Sequence, residues 1–294
     1  MGWLESAKRL KHRAMVSRSR ARRKLMPVTK TLLESFHRLV PYRFDPDRHR
    51  NEVGALPGMY FLHRQAPTSV REDKAVPRII LALWTGDNPL TANRIRGLES
   101  LKHANPETPV ALIGPENLSE FIEPGSPLHP MYDHLSLNHR SDYLRAYLMH
   151  HRGGGYADIK DYQHSWRAAF ETIEGSNSIW VVGYPELGPD YVGSQDAKVR
   201  RDLQRRFSAI VGCGAFICRP GTPFTAEWLR EVHRRLDYHS LELADHPGGI
   251  WGDDPRYPVA WSELGGDVFQ PLQLKYLTHV VQSSDLMPSF EYYR

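Results

Sequence analysis

The sequence predicts an α/β fold with a mainly parallel central sheet, and three observations predict it. Residues 78–84 (RIILALW) form a short apolar run closed by the turn signature Thr-Gly-Asp-Asn-Pro, the pattern of a buried strand. A second run of strand length, PVALIG over 109–114, follows a helix-length segment that Asn105-Pro106 stops. Strand, helix, strand, helix in that order calls for crossover connections between parallel strands.

The remaining elements follow in chain order. Residues 1–43 read as a basic helical extension ahead of a domain spanning 44–294, and 41–76 as irregular connection. Helices are expected over 90–103, briefly around 116–122, and over 139–151, where Leu144, Tyr147, Leu148 and His151 share a face. Gly153-Gly154-Gly155 ends the last of these and leads into a short strand over 156–159. A helix over 165–173, a strand over 178–184, a strand over 210–218 and a helix over 222–238 come next. Thr222 is positioned to cap that last helix, with Pro223 in its first turn. The stretch up to residue 206 is polar and Gly- and Arg-rich, and 245–294 reads as loop with interspersed apolar runs.

Composition limits the possible roles. The chain has 294 residues, 40% hydrophobic and 24% charged, which suits a packed domain. No apolar run approaches the roughly 20 residues that cross a bilayer, and the N-terminus lacks a signal-peptide core, so a cytoplasmic location is expected. Cys213 and Cys218 are expected to be reduced thiols, since their odd spacing on a strand sends them to opposite faces. The net charge of +4 conceals an asymmetry: residues 1–43 carry +10 and the rest −6. A basic arm with interspersed Trp, Leu and Phe suits either an anionic membrane surface, which would put the protein at the inner face of the membrane, or a solvated, loosely docked helical extension. Nucleic acid is not an expected partner, because the acidic body lacks interleaved basic and aromatic residues on a recognisable module.

Chemistry concentrates in residues 140–161, RSDYLRAYLMHHRGGGYADIKD. Asp142 and Arg145 share a helix face, and the glycine turn delivers Asp158 to a strand end, where ligands gather in open α/β sheets. A carboxylate, a cation and a second carboxylate are the residue types that hold ribose, diphosphate and sugar hydroxyls. This S-D-x-x-R…G-G-x-Y-x-D pattern resembles the sugar-binding region of retaining GT-A glycosyltransferases. That group includes capsular polysaccharide synthesis proteins, initiating mannosyltransferases of the yeast type and the large clostridial glucosylating toxins. The run 75–84 resembles the family's first strand, and the likeness extends over residues 75–275.

The resemblance implies a GT-A, Rossmann-like fold and transfer of a hexose from a UDP- or GDP-sugar to a saccharide hydroxyl with retention. It implies that Trp84 stacks on the base, Asp142 binds sugar or ribose, Arg145 the donor sugar or phosphate, and Asp158 ribose and metal. One position departs from the family: where its second acid coordinates a cation, this chain has Lys160, with Asp161 one residue on. Lys160 would then replace part of the metal's role and act in catalysis beside Asp158 and Arg145. The alternative keeps Mn²⁺ or Mg²⁺ on Asp158 and Asp161, or on Asp253 and Asp254 of the WGDDP loop, with His246 or His279 as weaker ligands. A rival class is a sugar-nucleotide-binding protein that has lost transfer. Taken alone, Trp84 also suits a core position, Asp142–Arg145 a solvated helix pair, and Asp158 a turn.

Overall fold

The computed structural model describes residues 40, 42–54, 60–67, 74–250, 252 and 254–291. The chain divides at Arg43 into two units, of which the second, Phe44–Arg294, is described below; the expected basic helix lies outside the described residues. The second unit is an α/β structure around one six-stranded sheet of order β2-β1-β3-β5-β4-β6. Its strands are β1 (Ile80–Leu83), β2 (Val110–Ile113), β3 (Gly154–Ala157), β4 (Val181–Pro185), β5 (Val211–Cys218) and β6 (Val280–Gln282). β1 pairs in parallel with β2 and β3, and β4 with β6, while β5 runs antiparallel to both its neighbours. The sheet is therefore mixed and mainly parallel.

The helices are α1 (Ala92–Ala104), α2 (Leu137–His151), α3 (Arg167–Glu174), α4 (Ala197–Arg206), α5 (Pro223–Tyr238), α6 (Ser240–Asp245) and α7 (Gly266–Lys275). Side-chain caps fix several starts: Thr91 accepts from Arg94 N, Ser136 from His139 N, and Thr222 from Thr225 N, the last as expected. The expected short helix near 116–122 is a 3₁₀ turn, Leu118–Phe121. Two helices sit in stretches that the sequence left irregular. α4 buries Val199, Leu203 and Asp202, whose carboxylate takes Arg48 at 3.0 Å and His49 at 3.3 Å. α7 carries Pro271 in its interior, and the Asp267 carbonyl that this proline leaves without a helical donor faces the Arg235 guanidinium at 3.5 Å.

Alternation along β5 divides the core into two faces. Ala215 and Ile217 pack with Tyr162, Trp166 and Phe170 beneath α3. Phe216 instead meets Phe269 of α7 and Trp228 of α5, at ring-centre distances of 4.7 and 5.9 Å. Between α2 and β3, Gly153 and Gly154 take φ of +69° and +88°, so the chain reverses there without the strain a β-carbon would bring.

Histidines crowd the contact between α2 and α5. Tyr143 stacks on His233 and meets its Nε2 at 3.2 Å, and His150 lies edge-on to His151, with Thr225 Oγ1 at 3.3 Å. Burial pushes His150 and His233 down to about 4, and neighbouring histidines add to it. The unfolded chain therefore binds more protons below pH 6.5. The neutral rings contribute fully above that pH, and their contribution drains as pH falls towards 4. Urea midpoints measured from pH 8 to 4.5 should drop by the equivalent of roughly 2–3 kcal/mol per ring, and His233→Phe should flatten the slope.

Candidate functional site

Because β1 and β3 are parallel neighbours in register (Leu81 opposite Tyr156), their carboxyl ends open on one edge of the sheet. Trp84 follows β1 there and Asp158 follows β3. Asp158 is anchored by its own N–H, which donates to Gly214 O of β5 at 2.7 Å. α2 lays Asp142 and Arg145 over the same region. The Arg145 guanidinium bonds the Asp142 carboxylate and donates to Cys213 O at 3.1 Å. It also covers the Tyr156 ring at 5.1 Å, and the Tyr156 hydroxyl donates to Asp158 Oδ1 at 2.7 Å. Lys160 Nζ donates to Asp158 Oδ2 at 2.8 Å and lies 4.8 Å from the centre of Phe290. Asp142, Arg145, Tyr156, Asp158 and Lys160 thus form one continuous chain of contacts.

These are not solvated helix charges. Asp142 is 4% exposed, and the side chains of Arg145 and Lys160 are 14% and 10% exposed. Burial works against the Arg145 charge, yet the carboxylates of Asp142 and Asp158 hold its pKa above the ordinary value. Burial likewise raises the Asp142 carboxyl, opposed by the touching Arg145; the contact geometry favours the ionised pair. For Asp158, burial is outweighed by Lys160 and then Arg145, which hold its carboxyl below the usual range. The arrangement is a buried cation–carboxylate pair, Arg145 with Asp142, beside a half-buried one in which the Asp158 side chain is 29% exposed, suited to a ligand that carries both anionic and hydroxyl groups.

Beside it opens a cleft of about 400 Å³ whose lining includes Asp142, Arg145 and Cys213. Asp158 and Lys160 are not part of that lining and connect to it through Tyr156, under Arg145. Two walls come from segments in which the sequence showed no site: the loop carrying Asp190 and Tyr191, and Trp261 with the start of α7. Gly265 admits that start to within contact of Asp142, since a β-carbon there would stand 2.9 Å from its Oδ1. Gln270 joins the walls, accepting from Gly193 N at 3.0 Å and donating to Tyr191 O and to Glu186 at 3.2 and 3.1 Å. Burial pushes the Glu186 carboxyl up to about 7. One signal was available: Asp267, Gln270 and Gln273 are polar residues three apart in an apolar stretch, and all are buried.

The other expected residues stand elsewhere. Trp84 lies at the sheet edge but outside the cleft lining, half-buried beside Ala82 and Leu98, its indole N–H donating to Asn88 O at 2.6 Å. Asp161 turns its carbonyl to Ser289 N at 2.8 Å. Asp253 lies outside the described residues. Asp254 is tied to Arg256 at 3.0 Å, which holds its carboxyl down at about 2. His279 stacks on Trp180 at 3.5 Å, and its Nδ1 meets Ser178 O at 2.7 Å. His246 closes α6 through its backbone N–H. Both cysteines are free thiols.

At Asp158 the Lys160 ammonium stands 2.8 Å from Oδ2, a positive charge that opposes a divalent cation at the same carboxylate. Among the described residues no group of three or more His, Cys, Asp or Glu side chains could hold a metal, and no helix is long and apolar enough to cross a membrane. No family model matches the chain, and no curated protein matches its sequence significantly.

Proposed function

We propose that residues 44–294 form a GT-A-type glycosyltransferase domain that takes a hexose from a UDP- or GDP-sugar and transfers it to a saccharide hydroxyl with retention. The observation that carries this reading is the Lys160–Asp158 pair at the carboxyl end of β3, reached through Tyr156 from the Asp142–Arg145 pair. In the reaction, the bond from sugar C1 to the phosphate oxygen breaks and its electron pair leaves with the diphosphate. Arg145 and Lys160 offset that charge. The acceptor oxygen bonds C1 on the same face, and its proton passes to the departing phosphate oxygen. Asp142 and Asp158 hold ribose or sugar hydroxyls and fix the two cations, so positioning supplies much of the rate. No step requires a metal.

The test is release of free nucleoside diphosphate from a panel of UDP- and GDP-sugars, with Mn²⁺ and with EDTA. The expected result is release from one donor at a rate that EDTA leaves unchanged. Nucleotide binding without release makes the protein a sugar-nucleotide sensor, and abolition by EDTA removes Lys160 from its role. Residues 1–43 would bring the domain to anionic lipid at the inner membrane surface. Co-sedimentation with phosphatidylserine vesicles that survives deletion of residues 1–40 ends that part of the reading.

A further inference from the structure

The cleft has a second chemical character that the charged pairs do not explain. Trp261 and Tyr191 both line it and are 61% and 47% exposed, among the few large apolar side chains turned to solvent in the described residues. Their backbones are nevertheless pinned. The Trp261 and Ala260 carbonyls meet Nε2 of His139 at 3.3 and 3.1 Å, and that ring is buried on α2, three residues before Asp142. Its Nδ1 faces the Tyr257 hydroxyl at 2.9 Å, so the loop that brings Trp261 is fastened twice. The Tyr191 carbonyl takes Gln270 Nε2 at 3.2 Å. Exposed aromatic rings on held backbones lose little conformational freedom when a ligand arrives, which suits them to recognition.

Other residues of the lining narrow the ligand. Asn138, Asp190 and Asp267 line the same cleft, short planar polar groups of the kind that hydrogen-bond hydroxyls in pairs. An aromatic face beside such groups matches a pyranose, which offers a C–H face to a ring and hydroxyls around its rim.

We infer that Trp261 and Tyr191 form an acceptor subsite that stacks a neutral pyranose at the mouth of the cleft. This deepens the transferase reading and rests on it for the word acceptor, but pyranose binding itself requires no transfer.

Saturation-transfer NMR with gluco-, manno- and galacto-configured methyl pyranosides and disaccharides, without nucleotide, tests the subsite directly. One configuration should show saturation strongest on its axial C–H protons. Trp261→Ala should weaken its binding about tenfold, the loss of a stacked ring, while Trp261→Tyr keeps most of it. Binding of UDP and GDP to Trp261→Ala should equal wild type. The inference is overturned if no pyranoside binds, if Trp261→Ala binds it as wild type does, or if that variant loses the nucleotide instead. Its failure is separable from that of the transferase reading, because pyranoside binding can persist where no nucleoside diphosphate is released, and release can persist where no pyranoside binds.

Discussion

Lys160→Met should lower nucleoside diphosphate release by about 10²–10³-fold, the usual effect of deleting one preorganised donor to a developing anion. The ammonium sits 2.8 Å from Asp158 Oδ2 on a side chain only 10% exposed, so solvent does not replace it readily. Thermal unfolding must accompany the rate, because the change also leaves Asp158 with one cation fewer. A loss of transfer in a variant that melts within a few degrees of wild type assigns the effect to the site. Lys160→Asp is the sharper companion. It recreates a pair of acids two residues apart, so it should be as slow as Lys160→Met in EDTA and gain about tenfold or more with Mn²⁺. The basis is exchange of one positive charge for another: the metal would stand where the ammonium stood. Wild-type rates in Lys160→Met would remove this residue from the chemistry, and indifference of Lys160→Asp to Mn²⁺ would show that the ammonium was not a metal substitute.

The half of the site that was legible in the sequence is the half that is contiguous. Asp142, Arg145, Tyr156, Asp158 and Lys160 fall within 19 residues, on a helix, a glycine turn and a strand, each with strong local signals. Helical spacing places the first pair together, and the positive φ of Gly153 and Gly154 brings the strand back beside the helix. Burial of that pair was not legible, because it depends on Cys213 O and Gly265, far along the chain. The walls carrying Tyr191 and Trp261 were hidden for the same reason. Tyr191 meets Gln270 across 79 positions and Trp261 meets His139 across 122. No local period encodes such contacts.

The fold shows the same division. β1 and β5 are apolar runs buried along their length and needed only their own residues to be recognised. α4, with sequence AKVRRDLQRR, buries two apolar residues and depends on Asp202 meeting Arg48 and His49 from 154 and 153 positions away. α7 breaks its helical pattern at Pro271. Both were stabilised by partners that a single sequence does not reveal, and α7 then supplied part of the cleft.

Asp142→Ala should cost about 3–5 kcal/mol of unfolding free energy, because it leaves the Arg145 guanidinium buried without its carboxylate. Arg145 Nε already has no hydrogen-bond partner, and the remaining carboxylate nearby, Asp158, is held by Tyr156 and Lys160. The informative comparison is the double variant Asp142→Leu, Arg145→Met, which removes both charges and keeps the volume. If the pair is chiefly a structural ion pair, the double variant should recover most of the stability, as apolar replacements of buried pairs often do, and recover transfer with it. If the pair holds the donor, stability should return while nucleoside diphosphate release stays down by about 10²-fold or more. The second outcome is expected. Asp142 and Arg145 face the cleft, whereas the comparably buried pair of Glu227 with Lys275, at the far end of α7, lies outside its lining. Neutralising that pair, through Glu227→Leu with Lys275→Met, supplies the control: a stability change with transfer per folded molecule unaltered. Chemical denaturation and single-turnover release on the same preparations read both quantities. Recovery of turnover in the Asp142→Leu, Arg145→Met protein would leave Arg145 a scaffold for Tyr156 and Asp158, with Lys160 the sole cation acting on the leaving diphosphate.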